Sequence, residues 1–173
     1  MDNLKFPIGK YSPPENITEN YVRQSIESIA ALPEKIREAV AKMDEQQYDQ
    51  SYRPGGWTIR QVVYHIGDSH LHSYIRFKWS LTEDTPLIKA YEQDGWAGTA
   101  DSTGADMDLA LDFIDVLHKR WVNLLNSIQP ADWDRAFVHP EGDRTLSLKY
   151  TAGMYAWHGE HHLAHLQSVS GKR

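Results

Sequence analysis

The sequence predicts an all-α protein: a four-helix bundle with a long crossover loop and a minor β-hairpin. Three observations carry that expectation. Four long stretches repeat apolar side chains near the helical period of about 3.6 residues. A polar segment rich in turn residues, 83–105, separates the second stretch from the third. Ahead of the fourth, two short β-type runs flank Pro140-Glu141-Gly142-Asp143.

Residues 1–16 carry Pro7, Gly9, Pro13 and Pro14 and read as extended. Helix one starts at Thr18, with Tyr21, Ile26, Ile29, Leu32, Ile36, Val40 and Met43 on its apolar positions. Pro33 interrupts this run, and a proline inside a helix removes one hydrogen bond, so a kink or break is expected there. Arg53-Pro54-Gly55-Gly56 is a turn. Thr58 followed by Gln61 is a capping-box pattern that opens helix two. Ile59, Val62, Val63, Ile66, Leu71, Ile75 and Trp79 carry its apolar face to about Leu81. Segment 83–105 holds Pro86, Gly95, Gly98 and Gly104. It is too long for a bare connection and reads either as a lid, closing with Tyr91 and Trp96, or as a packed surface loop. Helix three spans Asp106 to Ser127 with Leu109, Phe113, Leu117, Trp121, Leu124 and Leu125 inward. Phe137-Val138-His139 and Arg144-Thr145-Leu146 form the hairpin. Ser147 caps helix four, which runs to about Ser168.

The 173 residues fit one domain, 1–173, and 40% hydrophobic content is enough for a core. A net charge of −6 gives no electrostatic reason to bind nucleic acid or an anionic membrane. There is no cysteine, which removes disulfides, thiolate metal sites and a cysteine nucleophile. The N-terminus lacks a signal-peptide core, and no run approaches the ~18 apolar residues of a membrane span. A cytoplasmic location is expected.

Chemistry concentrates in Trp157-His158-Gly159-Glu160-His161-His162-Leu163-Ala164-His165. It contains two pairs four residues apart, His158/His162 and His161/His165. On a helix such pairs are neighbours, roughly 5–6 Å between Cβ atoms, and can share one metal ion. Tyr155, Leu166 and Val169 bracket His158/His162 and turn that pair inward. His161 and His165 share a mixed face with Trp157 and Ser168, which suits supporting, rim or solvated positions. A third ligand must come from elsewhere. Among His65, His70 and His72, His65 lies with Val62, Ile66 and Ser69 near the inner face, close to the Gly55-Gly56 turn. The competing reading leaves these histidines as satisfied or solvent-facing helix residues.

Gly55-Gly56-Trp57-Thr58-Ile59-Arg60-Gln61-Val62-Val63-Tyr64-His65-Ile66-Gly67-Asp68-Ser69-His70 and Ser73-Tyr74-Ile75-Arg76-Phe77-Lys78 resemble the second helix of the YfiT-type proteins of the DinB superfamily. Phe6-Pro7-Ile8-Gly9-Lys10-Tyr11, Leu81-Thr82-Glu83-Asp84-Thr85-Pro86 and the stretch from Tyr155 to His165 are similar to the same family. The resemblance covers nearly the whole chain. It implies a metal-binding four-helix bundle with a three-histidine site, which falls here on His65, His158 and His162. It further implies one Zn2+ or Ni2+ ion per chain, metal-dependent hydrolysis and a homodimer. Other members of the superfamily transfer low-molecular-weight thiols such as bacillithiol or mycothiol to electrophiles.

Three neutral imidazoles leave a metal with open positions. Water bound there is expected to act on a small-molecule substrate. The alternatives are activation of a low-molecular-weight thiol and a non-catalytic metal-binding module. Asp68, three residues after His65, is a candidate to support a ligand or wall the pocket. Arg76 and Tyr74 are candidates to orient an anionic substrate group, the alternative for Arg76 being a pair with a carboxylate on another helix. Glu160 lies roughly opposite the His158/His162 face and is expected in solvent.

Overall fold

The structure is a computed structural model that describes residues 2–170. Short α1 (Asp2–Lys5) precedes α2 (Glu19–Val40), the four-residue α3 (Glu45–Tyr48) and α4 (Ile59–Thr82). Then come α5 (Gln93–Ala97), α6 (Ala100–Gly104), α7 (Met107–Ser127), β1 (Ala136–His139), β2 (Arg144–Ser147) and α8 (Leu148–Ser170). The long helices α2, α4, α7 and α8 form the bundle.

Their starts follow from local chemistry. Thr18 accepts from the Tyr21 N–H at 3.2 Å and opens α2. At α4, Gln61 N–H donates to the Thr58 hydroxyl at 3.2 Å while Thr58 N–H donates to the Gln61 side chain at 2.9 Å. That reciprocal pairing is the capping box visible in the sequence. Asp106 accepts from the Asp108 N–H at 3.0 Å ahead of α7. Ser147 accepts from the Tyr150 N–H at 3.3 Å at the start of α8.

Of the kink or break expected at Pro33, the break does not occur: α2 runs as one helix through that residue. A proline at 33 has no N–H for the carbonyl of Ile29, four residues back. That carbonyl instead accepts a hydrogen bond from His118 Nδ1 on α7 at 2.7 Å. One bond along the helix is exchanged for one across the bundle.

The connectivity explains segment 83–105. Gly67 lies beside Phe113, His70 beside His118 and Phe77 beside Trp121, so α4 and α7 run parallel. Gly153 faces Tyr21 and Gly159 faces Leu32, so α2 and α8 run parallel too. His65 against His162 and Arg76 against Tyr155 make α4 and α8 antiparallel. Two consecutive parallel helices need a crossover. Helix α4 has 24 residues, so the chain must travel back about 36 Å. It does so partly as helix, through α5 and α6, where Pro86, Gly95, Gly98 and Gly104 suggested a lid or a surface loop. Gln61 Nε2 donates to Ala97 O at 2.7 Å and ties this crossover to α4. Its first part joins the hairpin: Val138 N–H donates to Pro86 O and Ile88 N–H to Val138 O. In the hairpin Phe137 opposes Leu146.

Two apolar clusters fill the bundle. Leu32, Ile36, Val62, Ile66, Ile114, Leu163 and Leu166 belong to one. Ile29, Phe77, Trp121, Leu125, Leu148 and Tyr155 belong to the other. His70, His118 and His158 fall between members of the two clusters on their respective helices, so a layer of imidazoles separates them. Among the described residues no helix is long and apolar enough to cross a membrane.

Candidate metal centre

His65 stands near the start of α4, and His158 and His162 stand one turn apart on α8. Antiparallel packing of those two helices brings the three rings together. His65 Nε2 and His158 Nε2 are 3.3 Å apart. The ring centroids of His158 and His162 lie 4.5 Å apart, and those of His65 and His162 lie 4.9 Å apart. Each ring offers one nitrogen, and the three nitrogens lie within 4.8 Å of one another. Bonds of about 2.0–2.1 Å in a tetrahedral arrangement separate neighbouring nitrogens by about 3.3–3.4 Å. The His65–His158 separation matches that edge, and the donor set is of the kind that divalent cations with imidazole ligands take.

The electrostatics fit as well. Burial pushes the His65 imidazole down to about 4, with His161 adding to the effect. Burial, then neighbouring imidazoles, hold His158 and His162 well below the usual histidine range. All three therefore stay neutral near pH 7 and keep a lone pair available to a cation.

The cluster opens into a cavity of about 570 Å³. Tyr52, Arg53, Gly55, Gly56 and Trp57 wall it on one side, and Lys5 and Phe6 come from the N-terminal segment. The crossover contributes Glu92, Gln93 and Asp94. Gly55 adopts φ +68°, a left-handed conformation that L side chains rarely take, and so lets the turn bend towards the histidines. Trp57 packs on His65 at 4.5 Å between centroids and donates its indole N–H to Asp94 Oδ1 at 3.1 Å.

The other candidates are distributed as follows. His161 and His165 are buried rather than solvated and line the same cavity. His161 stacks on Trp157 at 4.8 Å and His165 on Tyr52 at 3.9 Å. With His162 they form a second group of nitrogens within 4.8 Å of one another. Chain segments remote in sequence cover them, which a reading of one helix face does not show. Asp68 does not line the cavity; burial, then the Asp101 carboxylate, raise its carboxyl to about 6. Arg76 is buried away from the cavity, where Nη1 donates to the Tyr155 hydroxyl at 3.2 Å. Tyr74 lies under the Arg120 guanidinium. Glu160 pairs with Lys35 at 2.6 Å on the outer side of α8. Tyr91 stacks on His72 at 4.3 Å and Trp96 lies 5.0 Å from the same ring, so these aromatics pack on α4 instead of closing the cavity.

Sequence reasoning missed His118. Its spacing from Ile114, Trp121 and Leu125, all buried on α7, is the signal that it points inward. Sequence reasoning also weighed His70 as a ligand, whereas its Nε2 meets the back of His158 at Nδ1, 3.1 Å away.

A four-helix bundle with inward histidines from two antiparallel helices, open to a cavity, is the architecture of a metal-binding bundle protein. The model of the DinB superfamily matches residues 28–166, and the chain belongs to that superfamily. A Bacillus mycoides (strain KBAB4) protein named "Putative metal-dependent hydrolase" is 47% identical over 169 residues, covering 98% of this chain and 96% of the relative. A Bacillus cereus (strain B4264) protein of the same description is 46% identical with the same coverage. The solved structure of YfiT from Bacillus subtilis, described as a probable metal-dependent hydrolase with an unusual four-helix bundle topology, superposes with a TM-score of 0.94. It is 42% identical, over 97% of this chain and 96% of that one.

Proposed function

We propose that this chain is a metal-dependent hydrolase of a small-molecule substrate, with one divalent ion, Zn2+ or Ni2+, held by His65, His158 and His162. The observation that carries the reading is the meeting of three neutral imidazole nitrogens at the floor of a cavity. A divalent cation bound there supplies Lewis acidity that polarises a carbonyl and lowers the pKa of water. The protein's own residues do the rest. Trp57, pinned by Asp94, holds the His65 ring and excludes water from one side. Tyr52 does the same beside His165. Lys5 and Arg53 line the cavity as cations suited to an anionic group on the substrate.

A second reading, transfer of a low-molecular-weight thiol to an electrophile, draws on the same two cations, which would pair with a carboxylate of the co-substrate. The cysteine-free chain cannot supply the thiol itself. The assembly proposed is a homodimer in the cytoplasm. Leu109 and Phe113, expected inward from their spacing, are instead 62% and 43% exposed on α7 beside Val116 at 65%, and the three offer an apolar face for it.

The deciding experiment compares metal-loaded and chelated protein on a panel of esters, amides and electrophiles, with and without an added thiol. Thiol-independent turnover that chelation abolishes is the expected result. Strict thiol dependence selects transfer. Inactivity in both arms, with metal bound, selects a non-catalytic metal-binding module.

A further inference from the structure

A chain of contacts leads away from the back of the candidate metal centre. His158 Nδ1 lies 3.1 Å from His70 Nε2. His70 Nδ1 lies 2.9 Å from His118 Nε2. His118 Nδ1 lies 2.7 Å from the carbonyl oxygen of Ile29. His70 and His118 are 0% and 1% exposed, so solvent does not compete for these nitrogens.

The order of protons along this chain follows from its far end. A carbonyl oxygen only accepts, so His118 Nδ1 must carry the hydrogen. A neutral imidazole has one donor and one acceptor, which leaves His118 Nε2 as an acceptor. His70 must then donate from Nδ1 and accept at Nε2. His158 must in turn donate from Nδ1, and its Nε2 is left with a lone pair. That nitrogen is the one facing His65 Nε2 across the cavity floor. Burial supports the neutral form of all three rings.

The anchor has its own cause in the sequence. The Ile29 carbonyl is available because residue 33 is proline and cannot donate to it. Had residue 33 carried an N–H, the carbonyl would already hold its helical partner.

We propose that the Ile29 carbonyl, freed by Pro33, fixes the hydrogen order of the His118–His70–His158 chain and thereby presents the Nε2 lone pair of His158 to the cavity. His118 and His70 are positioning residues: they act on a cation only through His158. Imidazoles that bind metal usually donate their other N–H to a partner that fixes tautomer and ring orientation. Here the partner is a second imidazole, itself oriented by a third. The consequence for metal affinity rests on the ligand assignment proposed above, whereas the hydrogen order does not.

Two measurements on the full-length protein test this. The first is a long-range 1H–15N correlation spectrum of metal-free, 15N-labelled protein near neutral pH. His118, His70 and His158 are expected as Nδ1–H tautomers, the form that free imidazole disfavours in water. An Nε2–H tautomer at His158 or His118 overturns the proposal.

The second is Zn2+ affinity by chelator competition. His118→Leu removes the acceptor for His70 and should weaken Zn2+ by about 10–100-fold. His118→Gln can present its amide oxygen to His70 and its N–H to Ile29, and should recover most of the loss. A folded His118→Leu protein with unchanged affinity also overturns the proposal. If His118→Leu does not fold, the spectrum of the unaltered chain decides alone. His158→Ala separates the two readings. If it binds Zn2+ normally while the wild-type spectrum shows the expected tautomers, the ligand assignment fails and the hydrogen order stands.

Discussion

Nε2 of His65, on α4, faces Nε2 of His158, on α8, at 3.3 Å. Two lone pairs this close repel unless a proton or a cation lies between them. A cation held by these two and His162, as proposed, would relieve that repulsion at three nitrogens at once. His158→Ala and His162→Ala should therefore lose nearly all bound metal by elemental analysis. His161→Ala and His165→Ala should retain most of it. Full metal retention by His158→Ala would sink the assignment.

Asp94 tests the crossover's role. Its carboxylate accepts from the Trp57 indole, and Trp57 packs on His65. Asp94→Ala should leave metal stoichiometry intact and lower kcat/KM by about 3–10-fold, equivalent to roughly 0.7–1.4 kcal/mol. Loss of metal in place of activity would mean that the crossover secures the ligands rather than the substrate.

Asp68 imposes a pH dependence on stability. Burial, then Asp101, raise its carboxyl from 3.8 to about 6 in the folded chain. Between those values the folded state holds a proton that the unfolded state has released. Stability contributed by the neutral form is full below about pH 4 and is lost as pH rises through about 6. Partial exposure screens the effect, so Asp68→Asn should gain about 1 kcal/mol at pH 7.5. The gain should vanish near pH 4 in denaturant titrations. An equal gain at both pH values would point to a cause other than this carboxyl.

Gly159 follows His158 where α8 packs against Leu32 of α2. A Cβ at this position would overlap the side chain of Leu32, which is 1% exposed. Gly159→Ala gains helix propensity but overpacks the core. A net loss of about 1–3 kcal/mol is expected in thermal or denaturant unfolding. An unchanged or raised midpoint would show that Leu32 repacks freely.

Much of the frame was legible in the residues. Thr18, Thr58, Asp106 and Ser147 each mark a long helix, because capping joins groups two or three residues apart. The His158/His162 pair is legible for the same reason: a helix places residues four apart side by side. The continuity of α2 through Pro33 was not legible, because the loss of its N–H is a local fact, whereas the bond that replaces it comes from α7. Tyr91 and Trp96 left two readings open because aromatic residues in a polar segment suit a lid and a packed crossover equally well. Only their packing on His72 separates the two.

By itself, then, the sequence determined what depends on near neighbours: four helices, their caps, the hairpin and an inward pair of histidines. The tertiary structure alone decided that α4 and α7 run parallel, that His70 backs onto His158 and that His118 stands behind His70. Periodicity and capping are set within one turn of helix. Which nitrogen meets which partner depends on helix direction and rotation in the bundle, and those are settled only when the apolar clusters pack.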